Sequence, residues 1–109
     1  MNEQVPHEEI LSLIREIETS PASTQRTISQ KLGISLGKTN YLLKELIKKG
    51  FIKARHFSTN PGRMEKINYI LTPKGFQHMA HLTRVYLEIK EKEYMNLKKE
   101  WERVKSLKI

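Results

Sequence analysis

Residues 23–50 read STQRTISQKLGISLGKTNYLLKELIKKG, and the punctuation of this stretch decides the fold. Ser23 or Thr24 is a helix N-cap, because a short hydroxyl side chain accepts a hydrogen bond from an otherwise unpaired N–H of the first turn. Ile28 and Leu32, four apart, give that short helix an apolar edge. Gly33 stands where a left-handed residue closes a helix, and Ser35 is a good N-cap for the next one. The third helix reaches about Lys49, with Thr39, Leu42, Leu43, Leu46 and Ile47 as its buried stripe and Gly50 as its stop. Two helices joined by the tight turn Leu32-Gly33-Ile34-Ser35 make a helix-turn-helix.

The flanking sequence extends this pattern. Upstream, residues 7–19 read as a helix: Pro6 suits the entry, Glu8 and Glu9 favour the positive end of the dipole, and Ile10, Leu11, Leu13, Ile14 and Ile17 form the apolar stripe. Ser20-Pro21 ends it. Downstream, residues 51–57 and 66–72 have strand character, with Ile67, Tyr69 and Leu71 alternating in the second run. Ser58-Thr59-Asn60-Pro61-Gly62-Arg63 between them is a long polar turn. The hairpin makes the whole a winged helix.

Pro73-Lys74-Gly75 then opens a last helix, expected from about 74 to 109. Ala80, Leu87, Tyr94 and Trp101 are seven apart, and Phe76, Thr83, Lys90, Leu97 and Val104 fill the alternate positions. A second stripe, Met79, Leu82, Tyr86 and Ile89, occupies the first half alone. The first half therefore packs on two sides, and the second half is a seam between two partners, with Leu87, Tyr94, Leu97, Trp101 and Val104 as dimerisation residues. The expected architecture is mainly α with a small β-hairpin: a winged helix-turn-helix DNA-binding domain over 1–75, and a coiled-coil-like dimerisation helix over 76–109.

Charge points to the partner. The chain has 109 residues and a net charge of +8. Residues 1–22 hold one Arg against five Glu, residues 23–75 eleven Lys or Arg against Glu45 and Glu65, and residues 76–109 eight basic against five acidic residues. The basic excess thus falls on the helix-turn-helix and hairpin, as a polyanion reader requires. With one face of the third helix anchored, the opposite face presents Gly37, Lys38, Asn40, Tyr41, Lys44 and Lys48, with Glu45 toward its flank. In a major groove, residues early in such a helix meet base edges, and later ones meet phosphates. Ser35, Leu36 and Gly37 lie at the entering end. Lys38 suits guanine or phosphate, Asn40 adenine, and Tyr41 a thymine methyl or phosphate. Lys44 and Lys48 suit phosphates. Ser23, Thr24, Gln25 and Arg26 would cross the DNA backbone. Arg55, Asn60, Arg63 and Lys66 would carry the wing to an adjacent minor groove, with His56 near a phosphate.

Other chemistry finds no support in the residues. The absence of Cys excludes disulfides, thiolate metal sites and a Cys nucleophile. His78 and His81, three apart, form at most half a metal site, because the neighbouring turns offer Lys74, Arg84 and Val85 rather than a carboxylate. No nucleophile elbow, phosphate-binding glycine loop or His/carboxylate set occurs, so neither an enzyme nor a cofactor is expected. No apolar run approaches 18 residues and the N-terminus lacks a secretory pattern, so a cytoplasmic protein with no membrane partner is expected. The alternative class is a winged-helix protein–protein adaptor, which needs no basic excess on the recognition segment.

Ile34-Ser35-Leu36-Gly37-Lys38-Thr39-Asn40-Tyr41-Leu42-Leu43-Lys44, then Gly50-Phe51-Ile52-Lys53 and Leu71-Thr72-Pro73-Lys74-Gly75, resemble the MarR-type winged-helix regulators. Gly33 through Tyr41 is similar, more narrowly, to the short MarR-like regulators found with bacterial exopolysaccharide gene clusters. The resemblance spans about residues 7–105. It implies a homodimeric double-stranded DNA-binding regulator, with the recognition-helix role on Ser35 through Lys48 and the wing on Arg55 through Lys66. Larger members carry further helices that form a small-ligand cleft, and the single terminal helix here gives no basis for assigning an effector. Ile28 and Ser29 stand where the subfamily often has Leu-Ala, with similar volume.

Overall fold

The computed structural model describes residues 7–57 and 66–107. In chain order the elements are α1 (His7–Thr19), α2 (Gln25–Leu32), α3 (Leu36–Lys48), β1 (Ile52–Phe57), β2 (Lys66–Leu71) and α4 (Pro73–Lys105). This is a helix-turn-helix followed by a hairpin wing and a long helix. Pro6, Asn60 and Arg63 lie outside the described residues, as do Lys108 and Ile109.

Local chemistry sets the helix boundaries. Thr24 is the N-cap of α2, and its backbone N–H and hydroxyl exchange hydrogen bonds with Thr27 in a capping box. Gly33 closes α2 at φ 68°, a backbone conformation that costs a residue with a Cβ about 1 kcal/mol or more. Ser35 caps α3, its hydroxyl accepting from the Lys38 N–H at 3.0 Å. Thr72 caps α4: its hydroxyl accepts from the Gly75 N–H at 3.0 Å and donates to the Gly50 carbonyl at 2.6 Å. Pro73 occupies the first turn, where its missing N–H costs nothing. The helix closes at Lys105 with Ser106 as C-cap, so it stops short of the expected end at 109.

The core is built from the predicted stripes. Leu11, Leu13, Ile14 and Ile17 of α1, Ile28 of α2, Leu42, Leu43 and Leu46 of α3, Ile52 of β1, Tyr69 of β2 and Leu82 of α4 are all buried. Thr39 is buried too, its hydroxyl donating to the Ser35 carbonyl at 2.9 Å. Ser29 is buried beside Ile28 and donates to the Arg26 carbonyl at 2.8 Å, so the hydroxyl at this position is satisfied. Ile47 corrects the α3 stripe: it is 39% exposed, one step beyond the edge that α2 and β1 cover. Ile67 is likewise 39% exposed, although Tyr69 on the same strand face is buried.

β1 and β2 pair antiparallel, with Ile52 opposite Leu71 and Arg55 opposite Asn68. The wing is fastened below by the start of α4. The Thr72 N–H donates to the Phe51 carbonyl at 3.1 Å. The Phe51 ring stacks on His78 and lies under the Lys74 ammonium.

Candidate nucleic-acid interface

Helix α3 presents two faces of opposite character. Thr39, Leu42, Leu43 and Leu46 are buried, which fixes the helix rigidly on the domain. Leu36, Gly37, Lys38, Tyr41, Lys44 and Lys48 are exposed on the other side, and Asn40 is half-buried beside them. Glu45 is half-buried at the flank, so no exposed acid of α3 interrupts the row. A Cβ built on Gly37 would meet nothing within 4 Å, so this position leaves a flat approach for another molecule's backbone. Leu36 and Tyr41, at 40% and 43% exposure, give the entering end an apolar and an amphipathic contact.

The structure also shows what holds the charged members. Lys38 Nζ lies 2.9 Å from Glu9 Oε1 of α1. That oxygen is buried and, among the described residues, takes no hydrogen bond of good geometry; the Lys38 ammonium is the charge that answers it. Lys38 therefore stands tethered to α1, while Lys44 and Lys48 extend outward. Glu9 was legible in the sequence as an acid favouring a helix start, but nothing local marked it as a partner for α3.

At the start of α2, three of the four expected backbone-crossing side chains have partners within the chain. The Ser23 hydroxyl donates to Glu16 Oε2 at 3.3 Å, and Glu16 also pairs with Lys31 at 3.2 Å. The Thr24 hydroxyl is spent on its own cap. Gln25 Nε2 donates to the Leu36 carbonyl at 3.4 Å, tying the start of α2 to the start of α3. Arg26 is exposed. The carboxylate beside Ser23 makes that end of the row less hospitable to a phosphate than sequence alone suggested.

On the wing, Arg55 and His56 are exposed residues of β1, and Lys66 opens β2. Asn68, a residue the sequence reading passed over, is buried between them and the domain. Its Oδ1 accepts from Arg55 Nε at 3.2 Å, and its Nδ2 donates to the Pro21 carbonyl at 3.0 Å. One side chain thus orients the wing arginine and ties the hairpin to the corner that precedes α2. The bond uses Arg55 Nε, so Asn68 does not engage the Nη1/Nη2 pair, the two-donor edge suited to phosphate.

His78 and His81 lie on α4 away from this face. His78 stacks on Phe51 with ring centroids 4.1 Å apart. Its pKa is lowered, first by burial and then by the positive neighbours His81, Lys49 and His7. Among the described residues no group of three or more His, Cys, Asp or Glu side chains is placed to hold a metal. Among the described residues no helix is long and apolar enough to cross a membrane.

A rigidly anchored second helix, an outward cationic face and a hairpin beside it define a winged helix-turn-helix protein. Residues 7–53 match the family model described as winged helix-turn-helix DNA-binding. Among solved structures, the complex of Staphylococcus aureus MepR with DNA is similar at a TM-score of 0.68 and 18% identity, over 85% of this chain and 66% of that one. Streptococcus pneumoniae FabT in complex with DNA matches at 0.61 and 23%, over 81% and 59%. Staphylococcus aureus MarR in complex with salicylate and kanamycin matches at 0.61 and 20%, over 87% and 61%. At these identities the likeness is one of fold, and the chain spans roughly three fifths of the length of these proteins. No curated protein sequence matched the chain.

Proposed function

We propose that this chain is a sequence-specific, double-stranded DNA-binding transcriptional regulator that works as a homodimer in the cytoplasm. Residues 1–75 act as the DNA-binding domain and 76–109 as the dimerisation helix. The observation that carries the reading is the division of α3: a fully buried stripe of Thr39, Leu42, Leu43 and Leu46 on one side, and exposed Leu36, Gly37, Tyr41, Lys44 and Lys48 on the other, flanked by Lys38 paired to Glu9. Such a helix enters the major groove as a rigid unit, its first turns against base edges and its last turns against phosphates. The match of residues 7–53 to a DNA-binding model supports the same reading, and the MepR and FabT structures show the fold in complexes with DNA. Regulation of bacterial exopolysaccharide-related genes is the finer proposal. It rests on the resemblance of Gly33 through Tyr41, and identification of the bound promoters tests it.

Within this reading Asn40 discriminates between sequences and Lys48 does not. Asn40→Ala weakens binding to a selected duplex more than to a random one. Lys48→Ala weakens both alike and flattens the slope of log affinity against log salt by about one unit. Fluorescence anisotropy on the two duplexes across a salt series reads both effects; equal losses of specificity from the two substitutions would refute the assignment. A chain that binds neither duplex even at low salt is instead the protein–protein adaptor.

A further inference from the structure

The distal half of α4 carries large side chains that none of the described residues covers. Leu87, Tyr94, Leu97 and Trp101 are each more than half exposed, and Val104 is half-buried. They follow the alternating three- and four-residue spacing of a two-helix seam. This stripe runs to the side of the face that Met79, Leu82 and Tyr86 turn toward the core, so domain packing and the seam do not compete for the same residues. A contiguous exposed apolar stripe is a partner surface. The homodimer proposed above makes a second copy its occupant.

The charges beside the stripe decide how that copy lies. With Leu87, Tyr94 and Trp101 at the first core position of the heptad and Leu97 and Val104 at the second, Glu93 and Glu100 border one edge, and Glu91, Lys98 and Lys105 the other. The lysines stay close to the seam: Lys98 Nζ and Lys105 Nζ each lie 6.0 Å from the centre of the Tyr94 and Trp101 rings respectively. In a parallel pair, the first edge of one helix faces the second edge of the other, five residues on. Glu93 then meets Lys98 of the second copy, and Glu100 meets its Lys105, once on each side of the seam. In an antiparallel pair like edges meet: Glu93 faces Glu100 on one side while Glu91 faces Lys98 on the other, so repulsion on one edge offsets the attraction on the other, whereas the parallel pair is attractive on both. The intrahelical pairs Lys90–Glu93, Glu100–Arg103 and Glu102–Lys105 are i,i+3 contacts between side chains more than half exposed; surface pairs of this kind contribute little, so they do not prevent the exchange.

We propose that the dimer is a parallel, in-register two-stranded coil over about residues 87–104. Lys90 is the charged intruder in the seam, as a polar core residue that fixes register at some cost in stability. The orientation has a functional consequence. A parallel pair holds both winged-helix bodies at the same end, side by side, whereas antiparallel pairing of the same 18 residues would set them apart beyond the two ends of a seam about 27 Å long.

The chain has no Cys, so an introduced thiol is unique. Under mild oxidation Val104→Cys alone is expected to form a disulfide-linked dimer. An equimolar mixture of Leu87→Cys and Val104→Cys chains is expected to give no mixed 87–104 link by mass spectrometry. A dominant mixed link, with Val104→Cys alone unlinked, overturns the parallel arrangement. As an independent arm, the double variant Glu93→Lys/Glu100→Lys is expected to raise the dimer dissociation constant about tenfold, as several cross-helix pairs become repulsive. Mixing it with Lys98→Glu/Lys105→Glu is expected to restore dimerisation. An unchanged dissociation constant in the first variant overturns the proposal. A native chain that sediments as a monomer at tens of micromolar instead removes the dimer itself, a failure distinct from a dimer of the wrong orientation.

Discussion

At the scale of single residues, His78 shows how a small contact becomes a pH dependence. Its ring lies against Phe51 with the planes only 7° apart, and burial together with the positive charges of His81, Lys49 and His7 lowers its pKa from 6.5. The folded state therefore favours the neutral ring. The stability this contributes is complete above pH 6.5 and is lost as the pH falls through the lowered folded value. Between about pH 7.5 and about pH 5, the thermal midpoint should drop further for the native chain than for His78→Phe, which keeps the stack and cannot charge. Equal drops would contradict this. Asn68 and Glu9 mark the limit of reading residues from sequence. Asn68 lies on a strand whose alternation assigns it no core role, and its burial depends on a carbonyl 47 residues away. Glu9 is recognisable as a helix-start acid, yet its partner Lys38 comes from another helix. Neither relation has a local signal. Ser35, Gly33 and Thr24, by contrast, were legible because a cap is made within three or four residues of itself.

At the scale of elements, the junction of β2 and α4 explains why the Leu71-Thr72-Pro73-Lys74-Gly75 run has this composition. Thr72 caps and reaches back to Gly50, Pro73 starts the helix, and Gly75 lets the first turn lie directly on the Phe51 carbonyl. A Cβ at Gly75 would collide with that backbone oxygen. Gly75→Ala gains up to about 1 kcal/mol of helix propensity. The overlap costs on the order of 3 kcal/mol, because a backbone carbonyl held in a strand junction cannot rotate aside, so the variant is less stable. Gly37→Ala, with nothing within 4 Å of the new methyl, should be neutral or slightly stabilising. Chemical denaturation of the two variants compares them directly, and a Gly75→Ala chain as stable as Gly37→Ala would break the explanation. The stripes of α1 and α3 were readable from period alone, but their edges were not. Ile47 carries the right spacing and still faces outward, because how far a stripe is covered depends on the neighbouring elements.

At the scale of the whole molecule, the proposed function assigns DNA contact to one basic unit and dimerisation to one projecting helix. Residues 23–75 hold eleven Lys or Arg against two Glu, and the described part of that segment places Lys44, Lys48 and Arg26 outward around α3. Its affinity for any duplex should therefore fall steeply with salt. In the proposed reading, a single winged helix with a few base contacts binds weakly, so specificity needs two held together, and the exposed distal half of α4 is the element assigned to hold them. The most direct test of this account is selection of duplexes by the full chain from a random pool at moderate salt, followed by footprinting of the enriched sequence. The expected result is two inverted half-sites with centres about one helical turn apart, roughly 34–36 Å, whose protection is lost in Asn40→Ala while weak random binding persists. Failure to enrich any sequence, together with no retardation of duplex DNA even at low salt, would contradict it.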